Sequence, residues 1–240
     1  MKYHYETEKK DYRDFASGRV LYNVPGSAPF PVRLASEIFY RAQSFLNEEI
    51  NGFKLYDPCC GSGYLLTVLG FLHASKIREI AASDADEKMV AFARKNLSLL
   101  SFEGLRRREE EIRKYVEEYG KPSHMEALDS VQVLKTYLKE EPIPITCFQR
   151  DITKPDNHPV LQAQVIITDL PYGNLVSWRG NDDNPVRSLF KNLRKAMDLN
   201  NSVAVIIAGQ KIKPEHEGFN RVHHFKAGKR HVSFFKPVSS

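Results

Sequence analysis

The sequence stretch with the clearest capacity for chemistry is an acidic, glycine-rich turn. The segment Phe53–Asp57 has the composition of a short buried strand, and an apolar run from Tyr64 can begin a helix. Between them lies the turn Pro58-Cys59-Cys60-Gly61-Ser62-Gly63. A strand, a glycine turn and a helix in this order are typical of the first βα turn of a doubly wound sheet, where ligands bind beyond the carboxyl ends of the strands.

The spacing of the two glycines restricts the ligand that this turn could hold. Glycines let the main chain approach a ligand that any Cβ would hold off. A dinucleotide site continues as G-x-G-x-x-G to bring helix amides onto a pyrophosphate, but the third position is Leu66 here, and no Lys-Ser/Thr pair of a phosphate loop follows. Asp57 at the strand end favours a positively charged ligand. We therefore expect a nucleoside without pyrophosphate, such as S-adenosylmethionine, which carries an ammonium and a sulfonium.

The segment from Asp57 to Gly63 resembles motif I of class I methyltransferases, in the D-P-x-x-G-S-G form common among enzymes that methylate nucleic-acid bases. The resemblance implies S-adenosylmethionine as cofactor. The candidate cofactor-binding residues in this stretch are Asp57, Pro58, Cys59, Gly61, Ser62 and Gly63. A tight βα turn without a ligand is the alternative. Cys59 and Cys60 are interpreted as small residues in a crowded turn, with a reactive thiol pair as the alternative.

Two further acidic residues come at the ends of predicted strands. The second strand is predicted at Ile77–Asp84, where Asp84 can bind both ribose hydroxyls of a nucleoside. Asp86 is predicted to cap the following helix, and D-x-D resembles methyltransferase motif II. No metal site is expected there, because no further ligands cluster nearby. At the end of the third predicted strand, 145–152, the class I resemblance implies that Asp151 and Ile152 contact the adenine. A plain turn is the alternative for Asp151.

The second stretch with chemical capacity is 168–173, T-D-L-P-Y-G, directly after an apolar strand. It resembles motif IV, [DNS]-P-P-[YFW], of methyltransferases that modify nitrogen on planar substrates, with Leu170 in place of the first proline. The candidate catalytic residues are Asp169, Leu170, Pro171 and Tyr172.

Each residue of this stretch has an expected task. Asp169 and the carbonyl of Leu170 accept hydrogen bonds from an N–H of the target, Pro171 stiffens the chain, and Tyr172 stacks on a flipped base. For an exocyclic amino group the two acceptors would increase its electron density; for a ring N–H, Asp169 would act as general base. A Pro-Tyr turn without function is the alternative.

The elements that must position these residues alternate between strand and helix. Apolar strand patterns at 53–57, 77–84, 145–152, 164–169 and 202–208 are separated by helical patterns, which predicts a mostly parallel sheet. Two short strands, 221–225 and 231–235, predict a closing antiparallel hairpin. We therefore predict an α/β fold of the class I methyltransferase (Rossmann-like) type, with a seven-stranded sheet.

The alternation stops between residues 101 and 141, which we interpret as a helical insertion that faces the substrate. Its first helix is predicted to bury one apolar face. That face consists of Ile112, Tyr115, Val116 and Tyr119. After a break at 120–122, Ser123 and Glu126 predict a capping box for the second helix. The whole chain, 1–240, is predicted to be a single domain. Residues 1–50 form an N-terminal arm and a helix, 32–46, whose apolar face is predicted to pack on the core. This helix precedes the first strand, a position where class I methyltransferases often close over the cofactor.

Composition restricts the class of protein. A 240-residue chain with 42% hydrophobic and 27% charged residues is typical of a soluble globular domain. The longest apolar run, 203–208, is too short for a membrane span, and the N-terminal segment has no apolar signal sequence. Three cysteines, two of them adjacent, form neither a disulfide framework nor a zinc pattern. We expect a reduced, cytoplasmic monomer with no membrane or metal partner.

The net charge of +5 is concentrated at one end of the sequence. From Gly209 onward there are seven Lys or Arg and two acidic residues, a surplus as large as that of the whole chain. A one-sided basic region is the electrostatic footprint of a polyanion binder, with a solubilising tail as the alternative. Lys229 and Arg230, in the turn of the predicted hairpin, are the expected RNA contacts.

Over nearly its whole length the sequence is similar to the avilamycin-resistance 23S rRNA guanine methyltransferase family. The matching stretches are 24–26 (VPG), 30–39 (FPVRLASEIF), 57–70 (DPCCGSGYLLTVLG), 119–123 (YGKPS) and 168–173 (TDLPYG). The resemblance implies a class I fold with a helical insertion, and methylation of a guanine base in 23S rRNA or the large ribosomal subunit. The loop 174–184 and the basic hairpin follow the family less closely.

Two other interpretations are carried forward. One is an amino-methyltransferase that acts on tRNA, DNA or a protein glutamine, because its motif IV chemistry would be similar. The other is a non-catalytic, cofactor-binding rRNA assembly factor, for which the basic hairpin would be essential and Asp169 dispensable.

Overall fold

The computed structural model describes residues 1–47, 52–155, 161–170, 185–209 and 214–238. Two short 3-10 helices lie at Arg13–Phe15 and Ala74–Lys76. The helices are α1 (Val32–Gln43), α2 (Tyr64–Leu72), α3 (Glu87–Ser98), α4 (Phe102–Tyr119), α5 (Pro122–Lys135) and α6 (Pro185–Ala196). The strands are β1 (Phe53–Asp57), β2 (Ile77–Asp84), β3 (Ile145–Gln149), β4 (Val165–Asp169), β5 (Val203–Gly209), β6 (Phe219–Ala227) and β7 (Arg230–Pro237).

Seven strands form one sheet in the order β3-β2-β1-β4-β5-β7-β6. The first five positions are parallel, whereas β7 runs antiparallel to both β5 and β6. This topology confirms the predicted fold class, including the antiparallel closing hairpin. Strand order reverses between β1 and β4, and the crevice at such a switch point is where open α/β sheets bind ligands.

The core is divided between the two faces of this sheet, because successive strand residues point to opposite sides. Leu55 of β1 lies with α1, α2 and α3 on one face, and its neighbour Tyr56 lies with α6 on the other. Ile167 and Ile166 of β4 divide in the same way. Each fully buried aliphatic side chain contributes about 1.5–3 kcal/mol, so the ends of β1 and β4 are held firmly.

Two predicted helix starts had different outcomes. Asp86 caps α3 through a 2.9 Å hydrogen bond from the Lys88 amide to its Oδ1, as predicted. The predicted capping box of Ser123 with Glu126 is wrong, because α5 begins at Pro122 and Lys121 holds the N-cap position. Proline at the first helical position has a preset φ and no N–H that needs a partner, so the helix starts two residues earlier.

The predicted apolar face of α4 is only partly buried. Ile112 is buried, but Tyr115 and Tyr119 are 40% and 55% exposed. The buried side of α4 instead runs through Leu105, Arg108 and Ile112, so its last two turns extend beyond the surface against which the helix packs. The apolar periodicity predicted the helix correctly, but it could not show how far along the helix the surface that packs against α4 extends.

The helical pair α4–α5 holds the N-terminal arm. Arg108 Nε donates to the Val20 carbonyl at 2.9 Å, and the Tyr22 hydroxyl donates to Glu111 at 3.0 Å. An ion pair joins Arg19 to Glu126, and Ser130 Oγ donates to Asp14. In the part of the chain that the structure describes, α4 and α5 therefore support the arm and do not line the cavity between Asp57 and Asp169.

Candidate active site

The carboxyl ends of β1 and β4 meet at a cavity of about 170 Å³. One wall is the glycine turn with Asp57, and another contains Asp169. Arm residues between Ser17 and Phe30 close the remaining side. Two stretches that lie more than a hundred residues apart in the sequence thus share one cavity, at the switch point of the sheet.

The glycine turn has a conformation that other residues rarely adopt. Gly61 and Gly63 have φ values of 53° and 73°, in the left-handed region that favours glycine. A Cβ on Gly63 would lie 3.0 Å from the Ala93 Cα, whereas a Cβ on Gly61 would meet no atom within 4 Å. Gly63 is therefore needed for close packing of α2 against α3, a requirement that the sequence expectation did not include.

Asp57 is a buried carboxyl at the end of β1. Its Oδ1 accepts a 3.0 Å hydrogen bond from the Cys59 amide. Burial raises its pKa to about 7, with a further upward effect from the negative charges of Asp84 and Asp169, while hydrogen bonds from Thr168 and Cys59 act in the opposite direction. Ionising this group without a neighbouring cation is costly.

Asp84 lies at the end of β2 and is tied to the glycine turn. Its Oδ2 accepts from the Gly61 amide and its Oδ1 from the Asp86 amide, both at 2.9 Å. Burial raises its pKa in spite of these bonds. Each carboxylate oxygen can accept a further hydrogen bond, so the side chain can hold the turn and still bind a hydroxyl pair.

Asp169 lies at the mouth of β4, and Arg230 of β7 lies beside it. Arg230 Nε is 3.8 Å from Asp169 Oδ2, and its guanidinium lies 5.0 Å from the centre of the Phe30 ring. The other oxygen, Oδ1, is buried and accepts no hydrogen bond from any residue that the structure describes. Burial raises the pKa of Asp169 to about 6, and the positive charge of Arg230 opposes this rise.

The position of Arg230, predicted to contact RNA, places it beside the site as well. Its side chain is only 22% exposed and is directed at Asp169. Lys229, its neighbour in the chain, is exposed as predicted. Only the register of β7 against β5 distinguishes the two residues, and composition cannot supply that register.

The arm wall is fixed by a buried asparagine that sequence analysis missed. Asn96 of α3 accepts from the Tyr22 amide at 2.8 Å and donates to the carbonyls of Tyr22 and Ser62. It thereby joins the arm to the glycine turn. A second tie runs from the Tyr64 hydroxyl to the Phe15 carbonyl at 2.7 Å. Helix α1 packs in the core, as predicted.

Cys60 is buried and Cys59 is half-buried, which favours a packing role. Burial raises the pKa of Cys59. A hydrogen bond with the Cys147 thiol, together with burial, raises that of Cys60. A thiol whose pKa is raised holds little of the reactive thiolate. Among the described residues no cluster of three or more His, Cys, Asp or Glu could hold a metal ion.

Most of the other predicted site residues do not direct a free side-chain group into the cavity. The Oδ1 of Asp151 accepts from the amide and hydroxyl of Thr153, so Asp151 has the local bonds of a turn. The side chains of Ile152 and Leu170 are buried in the core, which leaves their main chains as the groups able to meet a ligand. Pro58 is buried and Ser62 lines the cavity. Pro171 and Tyr172 lie outside the described residues.

A second, larger cavity of about 480 Å³ lies elsewhere, under His216, Phe219 and Phe235. It includes none of the predicted site residues. Its size does not make it the site, because the convergence of titratable groups with shifted pKa values is the more informative signal. Within the described ranges no helix is both long and apolar enough to cross a membrane.

Comparison with known proteins agrees with this geometry. A family model described as rRNA methyltransferase AviRa matches residues 1–230. The chain is 42% identical over 217 residues to the 23S rRNA (guanine(2535)-N(1))-methyltransferase of Streptomyces viridochromogenes, covering 88% of this chain and 86% of that protein.

Solved structures give the same result. The structure of rRNA methyltransferase aviRa from Streptomyces viridochromogenes is 37% identical with a TM-score of 0.87, covering 98% of this chain and 96% of that one. The putative methyltransferase yhhF from Escherichia coli, 13% identical with a TM-score of 0.50 over 91% and 92% of the two chains, shares the fold alone.

Proposed function

Because the chain belongs to the AviRa family of rRNA methyltransferases, we propose that it methylates N1 of a guanine in 23S rRNA, with S-adenosylmethionine as the methyl donor. The atom and the RNA are those in the name of its Streptomyces relative. We further propose that the protein acts in the cytoplasm on the large-subunit RNA, and that this modification gives resistance to avilamycin.

The observation that carries the cofactor proposal is the set of three carboxyls around the switch point. Asp57, Asp84 and Asp169 all have pKa values raised first by burial, and the last two raise that of Asp57 further. Such a cluster is stabilised by a cation and repels an anion. A ligand with an ammonium and a sulfonium but no phosphate fits this requirement.

The residues divide among the parts of the cofactor as follows. Asp57 offsets positive charge at the end of β1, and the glycine turn leaves room at Gly61 for the ligand to approach. Asp84 binds the ribose hydroxyls. Asp151 and the main chain of Ile152 meet the adenine. The bound cofactor supplies a methyl group that its sulfonium already activates, so no covalent enzyme intermediate is required.

Asp169 is the proposed general base. N1 of guanine carries a proton that must leave before its electron pair can form a bond, and a carboxylate at the cavity wall can accept it. With a pKa near 6, this carboxyl is largely ionised at neutral pH and a stronger base than an ordinary aspartate. Tyr172 is the proposed stacking partner of the extruded base, since a base within a duplex cannot reach such a site.

The hairpin β6–β7 is the proposed RNA-backbone contact. Arg221, His224, Lys226 and Lys229 are exposed on it, and β6 is an edge strand. Cations on one face attract phosphates and make binding dependent on salt. Lys229 directly precedes Arg230, the residue beside Asp169, so the hairpin turn brings further positive charge to this side of the site, which favours nucleic acid over a protein glutamine as substrate.

Transfer of labelled methyl groups tests this proposal. The purified protein should label a 23S rRNA fragment, and nuclease mapping should find the label on N1 of one guanine. tRNA, DNA and protein fractions, incubated separately, should remain unlabelled. Binding of 23S rRNA and cofactor with no transfer to free RNA or to assembled and partly assembled large subunits would favour the non-catalytic assembly factor.

A further inference from the structure

Arg230 is a charged side chain of the site that the proposed reaction has not yet used. It is the first residue of β7 and pairs with Gly209 of β5, while Asp169 of β4 pairs with Ile207 of β5. Residues 207 and 209 point to the same face of the sheet. Because Gly209 has no side chain, nothing on β5 at that register stands between the arginine and the carboxylate.

Contacts with two of the described residues help to position the guanidinium. Its carbon lies 5.0 Å from the ring centre of Phe30, a cation–π arrangement, and its Nε lies 3.8 Å from Asp169 Oδ2. The second distance is longer than a hydrogen bond. Phe30 and Asp169 both line the cavity, so the arm and two strands together position one arginine beside two residues of its wall.

A hydrogen-bond donor beside an acceptor matches the Watson–Crick edge of guanine. That edge offers the O6 acceptor next to the N1–H and N2–H donors. Flipped bases are read on this edge, and a carboxylate with two oxygens can accept two N–H groups. Asp169 Oδ1, buried and without a partner among the described residues, is then an acceptor reserved for the base.

We propose that Arg230 is a catalytic residue that donates a hydrogen bond to O6 of the target guanine while Asp169 accepts the N1 proton. This inference rests on the proposed function. When the proton passes to the carboxylate, the electron pair left on N1 is shared with O6. This pair would form the new bond to the methyl carbon as the methyl–sulfur bond of the bound cofactor breaks, and the pair of that bond would stay on sulfur, which leaves as a neutral thioether. Arg230 stabilises the charge on O6, and the proton later leaves Asp169 for water.

The same pair of residues selects guanine against adenine. Adenine presents an amino donor where guanine has O6, and a bare ring acceptor where guanine has N1–H. Arginine would then face a donor and the carboxylate an acceptor. Sites built on hydrogen bonds reject such analogues strongly, because buried polar groups remain unpaired.

Single-turnover kinetics with saturating cofactor and a 23S rRNA fragment test the role of Arg230. Arg230→Met should lower the rate constant about 100-fold, the usual effect of removing one oxyanion donor, with RNA affinity within about threefold because one charge is lost. Arg230→Lys should recover part of the rate. Arg78→Met, a substitution of an exposed arginine on β2, is the matched control and should behave as wild type.

The pH profile gives a readout that a structural role would not move. Arg230 lowers the pKa of Asp169, so Arg230→Met should displace the acidic limb of the rate profile to higher pH. A substrate with inosine at the target keeps O6 and N1–H and should show the same dependence on Arg230. Circular dichroism establishes that each variant is folded.

The outcomes separate the two proposals. If wild-type protein methylates no guanine N1, the proposed function fails, whatever Arg230 does. If wild type is active and Arg230→Met loses only RNA affinity with an unchanged rate constant and pH profile, Arg230 is a phosphate contact and only this inference is overturned. An active wild type with no defect in Arg230→Met overturns it as well.

Discussion

The two halves of the cavity are built on opposite principles. On the side of β1 and β2, carboxylates are satisfied by backbone amides: both oxygens of Asp84 and Oδ1 of Asp57 accept hydrogen bonds at 2.9–3.0 Å. On the side of β4 and β7, Asp169 has one buried oxygen that no described residue satisfies and a cation at 3.8 Å. An unsatisfied buried polar atom costs about 1–3 kcal/mol.

This difference matches the two proposed tasks, which are cofactor binding on the side of β1 and β2 and reaction with the base on the side of β4 and β7. The half proposed to bind the cofactor is preorganised by the backbone amides of its own turn. In the half proposed to bind the base, one oxygen of Asp169 has no partner among the described residues, and Arg230 lies 3.8 Å from the other. Strain and unsatisfied groups at functional sites are expected where they serve reaction rather than folding. Substitutions in the two halves should therefore have separable effects.

The largest effect is expected at Asp169. Asp169→Ala removes the proposed base and should lower methyl transfer by about 10³-fold or more, while cofactor affinity stays nearly unchanged. Titration calorimetry with the cofactor, beside a labelled-methyl assay, measures both. Asp169→Asn keeps the shape and should be as inactive. If cofactor affinity falls together with activity, Asp169 also contributes to cofactor binding, and the two halves do not have separate functions.

The next largest effect is expected at Asp57, on stability rather than rate. Its pKa is about 7 when folded, against 3.8 for an unburied group. Between about pH 4 and 7 the unfolded chain releases a proton that the folded protein retains. The stability contributed by this carboxyl is therefore complete below about pH 4 and is lost as the pH rises through 7.

Asp57→Asn removes that loss. Urea unfolding should show the variant to be more stable than wild type at pH 8, by as much as about 4 kcal/mol for three pKa units, and no more stable at pH 3.5. Asp129→Asn, on the exposed side of α5, is the control for a lost surface charge. A gain of equal size at both pH values would show that ionisation of Asp57 is not the cause.

Asp84→Ala should have a smaller effect, confined to the cofactor half. Loss of its hydrogen bonds to the ribose should weaken cofactor binding by about 1.5–3 kcal/mol. Because Asp84 also holds the Gly61 amide, Asp84→Asn, whose Oδ1 can still accept this bond, is the matched variant. The single-turnover rate at saturating cofactor should change little in either. A rate defect at saturation would mean that the turn also positions the reacting groups.

The sequence predicted the cofactor half better than the base half for a physical reason. The glycine turn, Asp57 and Asp84 are encoded within short segments, where strand, turn and cap preferences act locally. The alternation of strands and helices predicted a mostly parallel sheet, although not the order of its strands. The base half is different. Asp169 was predictable as the end of an apolar strand, but Arg230, which lies beside it, belongs to another element, β7.

What the sequence could not supply was contact across elements. Arg230 reaches Asp169 because of the register of β7 on β5, and the arm closes the cavity because Asn96 binds both Tyr22 and the turn. A lone asparagine in an amphipathic helix gives no local signal of such a role. The exposed end of α4 was mispredicted for a related reason, because helical period does not reveal how far the packing partner extends.

The smallest effect is expected outside both halves, at Lys229. Its neighbour Arg230 belongs to the base half, so Lys229 alone tests whether the turn of the hairpin contacts RNA. Lys229→Gln should weaken rRNA binding a fewfold and reduce the slope of log affinity against log salt by about one, with the rate constant for bound RNA unchanged. Lys139→Gln, exposed near the start of β3, is the control for a lost lysine. If Lys229→Gln leaves the slope as it is, the turn contributes to solubility and the RNA path lies elsewhere. If Lys229→Gln instead lowers the rate constant as Arg230→Met does, Lys229 also takes part in the reaction, and the base half includes the whole turn of the hairpin.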